Sequence, residues 1–328
     1  MHMLSLFILR KDTSRLSLFL HVFCLLAMLS MMQCKEKPQR FVAITFDDLP
    51  VVCQCENNAD RREITEKLLS IYRTFDMPIL GFVTERKLEV EGAVDPERVA
   101  LLEMWLQAGH ELGNHGYAHK NINDITPNEY QQEILLGERI TRPLALKAGL
   151  PYRFFRHPYL SAGDYLQTRR DLDVFLKEHN YRIAPNTITY QDYTFSGAYE
   201  KALHKGDTLL AQRIRKAYLP YTLKRWEAAE QQSRNLFGRE IRQILMVHAN
   251  RLNAETFGDV AQMMQDRGYT FITIDEALED PAYARPDTYD GPVGVTWLYR
   301  WSVEMGKKKS YDGTGVPQFV LDVTGQDY

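Results

Sequence analysis

From residue 41 onward, short apolar runs alternate with amphipathic stretches of helical period, and this alternation limits the fold more than any other feature. The runs at 41–46, 78–83, 111–114, 152–155, 181–185, 244–247 and 269–274 read as strands. Helical stretches at about 60–75, 95–108, 126–148, 164–179 and 253–267 separate them, and a helix-rich insertion fills about 197–237. Asp95-Pro96 puts proline at a first helical position. Thr126-Pro127-Asn128-Glu129 is a capping box that opens the next helix. Strands this short, each followed by a helix, favour an α/β architecture of parallel barrel type over a wide doubly wound sheet. No internal repeat or low-complexity segment interrupts the pattern. Residues 281–328 are rich in Pro, Gly, Tyr and Asp and read as an irregular C-terminal extension to a domain spanning 40–280.

The first strand ends in Thr45-Phe46-Asp47-Asp48. Two adjacent carboxylates where a core strand emerges repel each other and lose hydration unless a cation or partner compensates. One carboxylate on a metal with the other free is a way to make a hydrolytic nucleophile. The alternative is a turn in which Asp48 caps Leu49-Pro50 and Asp47 is solvated.

With 328 residues, 45% hydrophobic and 25% charged, and a net charge of -3, the chain has a globular composition and no nucleic-acid footprint. Its start differs. Lys11 and Arg15 precede an apolar run at 16–32, followed by Cys34 and Lys35-Glu36-Lys37-Pro38. Residues 1–34 therefore read as an export signal, with a retained transmembrane anchor as the alternative. Cys34 stands where a lipidated cysteine would, so the expected location is the periplasm or cell envelope, with lipid anchoring through Cys34. Membrane contact is expected only through that segment. Cys53-Gln54-Cys55 is either a pair of free thiols or a local bridge, since no further cysteine completes a structural zinc site.

The polar residues sort onto one rim. Asp47 and Asp48 follow the first strand, His115 and His119 the strand at 111–114, and Arg156 the strand at 152–155. Asp192 lies past the strand at 181–185, and His248 follows the strand at 244–247. In a βα barrel the C-terminal ends of the strands form the rim where active sites are built. His115 and His119 are spaced i, i+4, so one helical turn would aim both rings at a single ion. With Asp48 they give two imidazoles and a carboxylate, a set that leaves open positions for water and substrate.

Thr45-Phe46-Asp47-Asp48, His115-Gly116-Tyr117-Ala118-His119, Arg156-His157-Pro158-Tyr159 and Leu245-Met246-Val247-His248 together resemble the polysaccharide deacetylase family, also called the NodB homology domain or carbohydrate esterase family 4. The resemblance covers about 40–275 and implies a distorted (β/α) barrel that removes acetyl groups from amino sugars or acetylated xylan. It implies Asp47 as general base, His248 as general acid and Arg156 as the group orienting the base. It also implies Asp48, His115 and His119 as ligands of one divalent ion, zinc first, with cobalt, nickel or iron as substitutes. Tyr159, through its backbone N–H, Asp192 and Leu245 would lie on the substrate and oxyanion side. The expected partner is an acetylated carbohydrate.

Four positions depart from the pattern. Leu49 follows the Asp pair where many members have Gly, and Gly116 replaces a Ser or Thr inside the His motif. Leu160 replaces a Gly, and the Asp-Trp region survives only as Asp192-Tyr193. No ligand or proton carrier is lost. His110 does not form a metalloprotease His-Glu-x-x-His, because the next histidine is His115. His110, Trp105, Trp297 and Trp301 read as packing residues, and Arg251 as a candidate substrate contact. Two other readings remain: the same fold and metal acting on a C–N bond of a non-sugar molecule, or a catalytically silent glycan-binding envelope lipoprotein.

Overall fold

The computed structural model describes residues 39–289, 295–307 and 315–325. The expected export signal and Cys34 lie outside the described residues. Its strands in chain order are β1 (Arg40–Val52), β2 (Ile79–Val83), β3 (Glu89–Val90), β4 (Ala93–Val94), β5 (Glu111–Asn114), β6 (Phe154–Phe155), β7 (Arg182–Ile183), β8 (Gln243–Asn250) and β9 (Tyr269–Ile272). β3 and β4 form a small antiparallel hairpin. The other seven make one parallel sheet in the order β7-β6-β5-β2-β1-β8, with β9 also pairing β1. Helices surround it, giving a half-barrel of distorted (β/α) type. The chain leaving β7 returns to the far edge, where Ile188 makes a single parallel bridge to Leu245 of β8.

β1 is the hub because it pairs with β2, β8 and β9. Its middle is apolar on both faces, as a parallel strand covered by helices requires. Phe46 joins Tyr72, Trp105 and Phe257 in an aromatic cluster with centroids 5.2–6.1 Å apart. Such pairs add about 0.5–1.5 kcal/mol each beyond area burial. His110 packs edge-on against Tyr72 and Trp105. Burial pulls its pKa down to about 4, so it is a neutral packing group. At the opposite end of the strand, Arg40 pairs with Glu230 and Glu240, and Glu230 with Arg267.

The expected helix at 126–148 is two helices, Pro127–Leu136 and Thr141–Lys147. The break falls at Gly137, where a Cβ would lie 2.6 Å from the Gly116 carbonyl carbon and 2.7 Å from Asn114 Oδ1. The helix stops because its end must press against the loop after β5. The expected helix-rich insertion consists of helices Asp192–His204 and Thr208–Phe237. Tyr218, Tyr221 and Trp226 of that second helix are buried in the core and do not line a cleft.

After residue 281 the chain is not wholly irregular. Helices Trp297–Glu304 and Gln318–Thr324 form there. Thr296 caps the first, and Trp301 is buried against Phe237 and Tyr283. Cys53 and Cys55 are joined as a disulfide, the local bridge among the two alternatives. Among the described residues no helix is long and apolar enough to cross a membrane.

Candidate active site

Successive side chains of a regular strand point to opposite faces. Asp48 breaks this alternation with a left-handed φ of 65°, and the β1 ladder is irregular between Asp47 and Val52. Both carboxylates consequently reach the same pair of imidazoles. Asp47 Oδ2 lies 3.9 Å from His115 Nε2, and Asp48 Oδ2 lies 3.9 Å from His119 Nε2.

The two histidines are not on a helix. Gly116, with φ 76°, and His119, with φ 56°, are left-handed, so the segment doubles back as a loop that brings the ring centroids to 5.0 Å. The i, i+4 spacing predicted the proximity for a different geometric reason. Gly116 occupies a conformation that only glycine adopts without strain. The hydroxyl missing from this motif is replaced by other braces. Asn114 Oδ1 accepts the Gly116 N–H at 2.7 Å, and Glu133 accepts the Ala118 N–H at 2.6 Å.

Asp48, His115 and His119 each present one ligand atom, and these atoms lie within 4.8 Å of one another. The donor chemistry suits a metal ion. The His115 Nδ1–H donates to the Arg156 carbonyl at 2.8 Å, and because a carbonyl can only accept, Nε2 keeps its lone pair toward the cluster. Burial, aided by His115 and Lys87, outweighs Asp48 and draws His119 down to about 4, so the His119 ring is neutral. Asp48 is ionised: burial opposes its charge, but Lys87, His119, His115 and His248 hold it well below the usual carboxylate range.

Arg156 is 1% exposed and fixes Asp47. One terminal nitrogen donates to Asp47 Oδ1 at 2.8 Å and to Thr45 Oγ1 at 2.6 Å. The other donates to the Pro185 carbonyl at 3.1 Å, and Nε to the Ala184 carbonyl at 3.3 Å. Across the sheet, His248 is the register partner of Asp47, which sets the two side chains on neighbouring strands. His248 Nδ1 lies 3.0 Å from Asp192 Oδ1. Burial alone would lower the imidazole; the Asp192 ion pair, with help from Asp48 and Asp47, raises it to about 9.

Asp192 itself has no exposed surface. Its second oxygen accepts from the His248 N–H, Asn250 and Asn253. It acts on His248 and does not face open space. Leu245 is likewise fully buried in the core, and its backbone carbonyl accepts from Thr45 Oγ1. Tyr159 is at the rim, with φ 58°, a ring 57% exposed and a centroid 4.5 Å from His119. Its N–H is taken by no carbonyl or side chain among the described residues. Arg251 stands apart from this cluster, beside Glu200 and Gln54. His157 is buried against Tyr130.

Two contacts had no local signature in the sequence. Lys87 Nζ lies 3.3 Å from Asp48 Oδ1 and 3.1 Å from the Asp48 carbonyl, and Thr84 Oγ1 donates to the same Oδ1 at 2.7 Å. Leu49, the unusual neighbour of the Asp pair, is fully buried. A Cβ on Gly81 would sit 2.2 Å from Leu49 Cδ1, so Leu49 fills the space that Gly81 leaves open.

Residues 34–175 match the family model described as polysaccharide deacetylase. The peptidoglycan-N-acetylglucosamine deacetylase of Bacillus cereus is 27% identical over 152 residues, which cover 46% of this chain and 46% of that protein. The bifunctional xylanase/deacetylase of Pseudobutyrivibrio xylanivorans is 19% identical over 244 residues, covering 74% of this chain and 31% of that one. The chain thus spans about half the length of these curated relatives or less. Among solved structures, a mutant of a carbohydrate esterase family 4 pseudoenzyme of Bacillus anthracis, with restored enzymatic activity, shares the fold. Its TM-score is 0.50 at 18% identity, over 74% of this chain and 68% of that one. Over residues 34–175, which begin to build this site, the chain is similar to the polysaccharide deacetylase family.

Proposed function

We propose that this protein is an exported, metal-dependent hydrolase that removes acetyl groups from an acetylated carbohydrate of the peptidoglycan or xylan class. The observation that carries this reading is one three-ligand cluster flanked by two differently prepared proton carriers: Asp47 held by Arg156, and His248 held by Asp192. A silent glycan binder needs neither pair. The apolar segment at 16–32 and the Cys53–Cys55 disulfide support export, and Cys34 is the proposed anchor point.

Asp48, His115 and His119 would hold the ion, and two imidazoles with one carboxylate suit zinc. The ion would supply Lewis acidity toward the acetyl carbonyl and lower the pKa of a nearby water from about 15.7 toward about 7. Asp47, oriented by Arg156, takes the proton of the attacking water. The Tyr159 N–H faces the oxygen on which charge develops. His248, charged through Asp192, gives its proton to the departing amine or alkoxide.

Lys87 modifies this scheme. With Thr84 it occupies Asp48 Oδ1, leaving Oδ2 as the one free ligand oxygen. It also places a positive charge against the ligand. Like charges at such separations cost roughly 1–4 kcal/mol, with the lower figure appropriate because Lys87 is about one-third exposed. The site is therefore built to bind its ion less tightly than its three ligands alone would allow.

Three outcomes are expected. Acetate release from acetylated chitooligosaccharides, peptidoglycan or acetylxylan occurs on at least one substrate and is abolished by chelator; activity that resists chelator contradicts the metal reading. Because His248 must be protonated to act, activity is present below its pKa and lost as pH rises through it. Asp192→Asn, which weakens the protonated form, moves that alkaline limb down by about one pH unit or more in a rate–pH profile. Lys87→Met tightens zinc binding at least about tenfold in a competition titration, with the fold retained.

A further inference from the structure

The Cys53–Cys55 bridge takes no part in the reaction described above, yet two routes of contact lead from it to the partner of His248. The first runs through the sheet. Between Asp47 and Val52, β1 advances five residues while β8 advances two, from His248 to Asn250, so the stretch with Asp48, Leu49 and Pro50 bulges out of the ladder. Pairing resumes at Val52 opposite Asn250, and Cys53 comes next. Asn250 is fully buried and donates its side-chain N–H to Asp192 Oδ2 at 3.1 Å. The bridge therefore closes the far side of the bulge beside the strand residue that steadies Asp192.

The second route runs through a helix. Gln54, between the two cysteines, donates its backbone N–H to Glu200 Oε2 at 2.5 Å. Glu200 lies on helix Asp192–His204, and Asp192 is the first residue of that helix. At ~1.5 Å of rise per residue, the contact grips the helix about 12 Å from Asp192. A bridge between residues two apart closes a small ring around Gln54, which restricts its backbone and fixes where its N–H points. Both cysteines are half-buried and packed on the core, so the ring is itself anchored.

Asp48 is held from the other side, by Thr84 and Lys87. The contacts of the bridge thus end on the support of the proton carrier, not on that of the metal ligand. We propose that the Cys53–Cys55 bridge is a positioning device for His248: by holding Asn250 from one side and helix Asp192–His204 from the other, it keeps the Asp192 carboxylate on the imidazole. The proposal rests on the deacetylase reading for what His248 does, and on geometry for where its ring is held. Asp192, Asp48 and Asp47 face that ring with their charges, and Tyr193 meets it edge-on.

The test is an NMR titration of the His248 ring in the full, metal-free chain, with its signal assigned by its loss in His248→Gln. The wild-type ring titrates near 9, raised by the Asp192 pair. A looser pair lowers that value, so Cys53→Ser/Cys55→Ser titrates at least about 0.5 pH unit lower, a threefold change in the protonation constant. Glu200→Ala, which cuts the helix contact, shifts it in the same direction, and Glu200→Gln, which keeps an acceptor for the Gln54 N–H, stays near the wild type. In an Asp192→Asn background, opening the bridge shifts the ring no further, because both changes act through one carboxylate. With substrate, kcat of the bridge variant falls at least about threefold while KM and zinc content hold. Melting curves verify folding, and if the bridge variant does not fold, Glu200→Ala decides. A His248 titration that Glu200→Ala and the folded bridge variant leave unchanged, or a shift as large in the Asp192→Asn background, overturns the proposal. A wild type that releases no acetate from any substrate overturns the deacetylase reading instead, and the titration still decides whether the bridge positions His248.

Discussion

Arg156 is the residue on which the rest of the site depends. Taking a guanidinium out of water costs several kcal/mol unless its donors are satisfied and its charge is paired. Here the donors reach Asp47 and Thr45 on β1 and the carbonyls of Ala184 and Pro185 beyond β7, while Phe82 lies under the plane at 4.4 Å. The side chain thus spans the mouth of the half-barrel, where the strands themselves are joined by the single bridge at Ile188 and Leu245. Its own carbonyl takes the His115 Nδ1–H. One residue fixes Asp47 through its side chain and the His115 imidazole through its backbone, so the two cannot drift apart independently.

Around that core the rim is balanced by pairs. Asp47 is matched by Arg156, Asp192 by His248, and Asp48 by Lys87. A divalent ion added to such a set would leave it net positive, which under the proposed function would favour negative charge developing on an acetyl oxygen. Three of the positions involved, Asp48, His119 and Tyr159, have left-handed backbones despite carrying side chains. Strain of this kind persists where the surroundings over-determine it, and here Thr84, Lys87 and the Asn114–Glu133 braces do so.

The strand ends were legible because chemistry and topology coincide there. Asp47, Asp48, His115, Arg156 and His248 each follow a hydrophobic run, and a parallel sheet carries all such positions to one end. The resemblance implied Asp48 as the metal ligand of the pair, and the structure groups Asp48 with both His115 and His119. Contacts between residues far apart in sequence were not. Lys87 reaches Asp48 from a 3-10 turn, and Gly137 ends its helix against the Gly116 loop, which no local pattern encodes. The proximity of His115 and His119 arises from a doubled-back loop, whereas their spacing predicted a helical turn. The short helices at Trp297–Glu304 and Gln318–Thr324 were hidden by the Gly and Pro residues around them. Leu49, out of pattern in the motif, is complementary to Gly81 one strand away.

Under the proposed function the two adjacent aspartates have separate tasks, one holding the ion and the other taking a proton. The most direct measurement is zinc content and acetate release in parallel for Asp47→Asn and Asp48→Asn. Asp47→Asn is expected to keep its zinc and lose turnover by at least about a hundredfold, in line with the loss of a positioned general base. Asp48→Asn is expected to lose the zinc. An Asp47→Asn protein that turns over at the wild-type rate, or a pair of variants that lose zinc equally, would contradict that division of tasks.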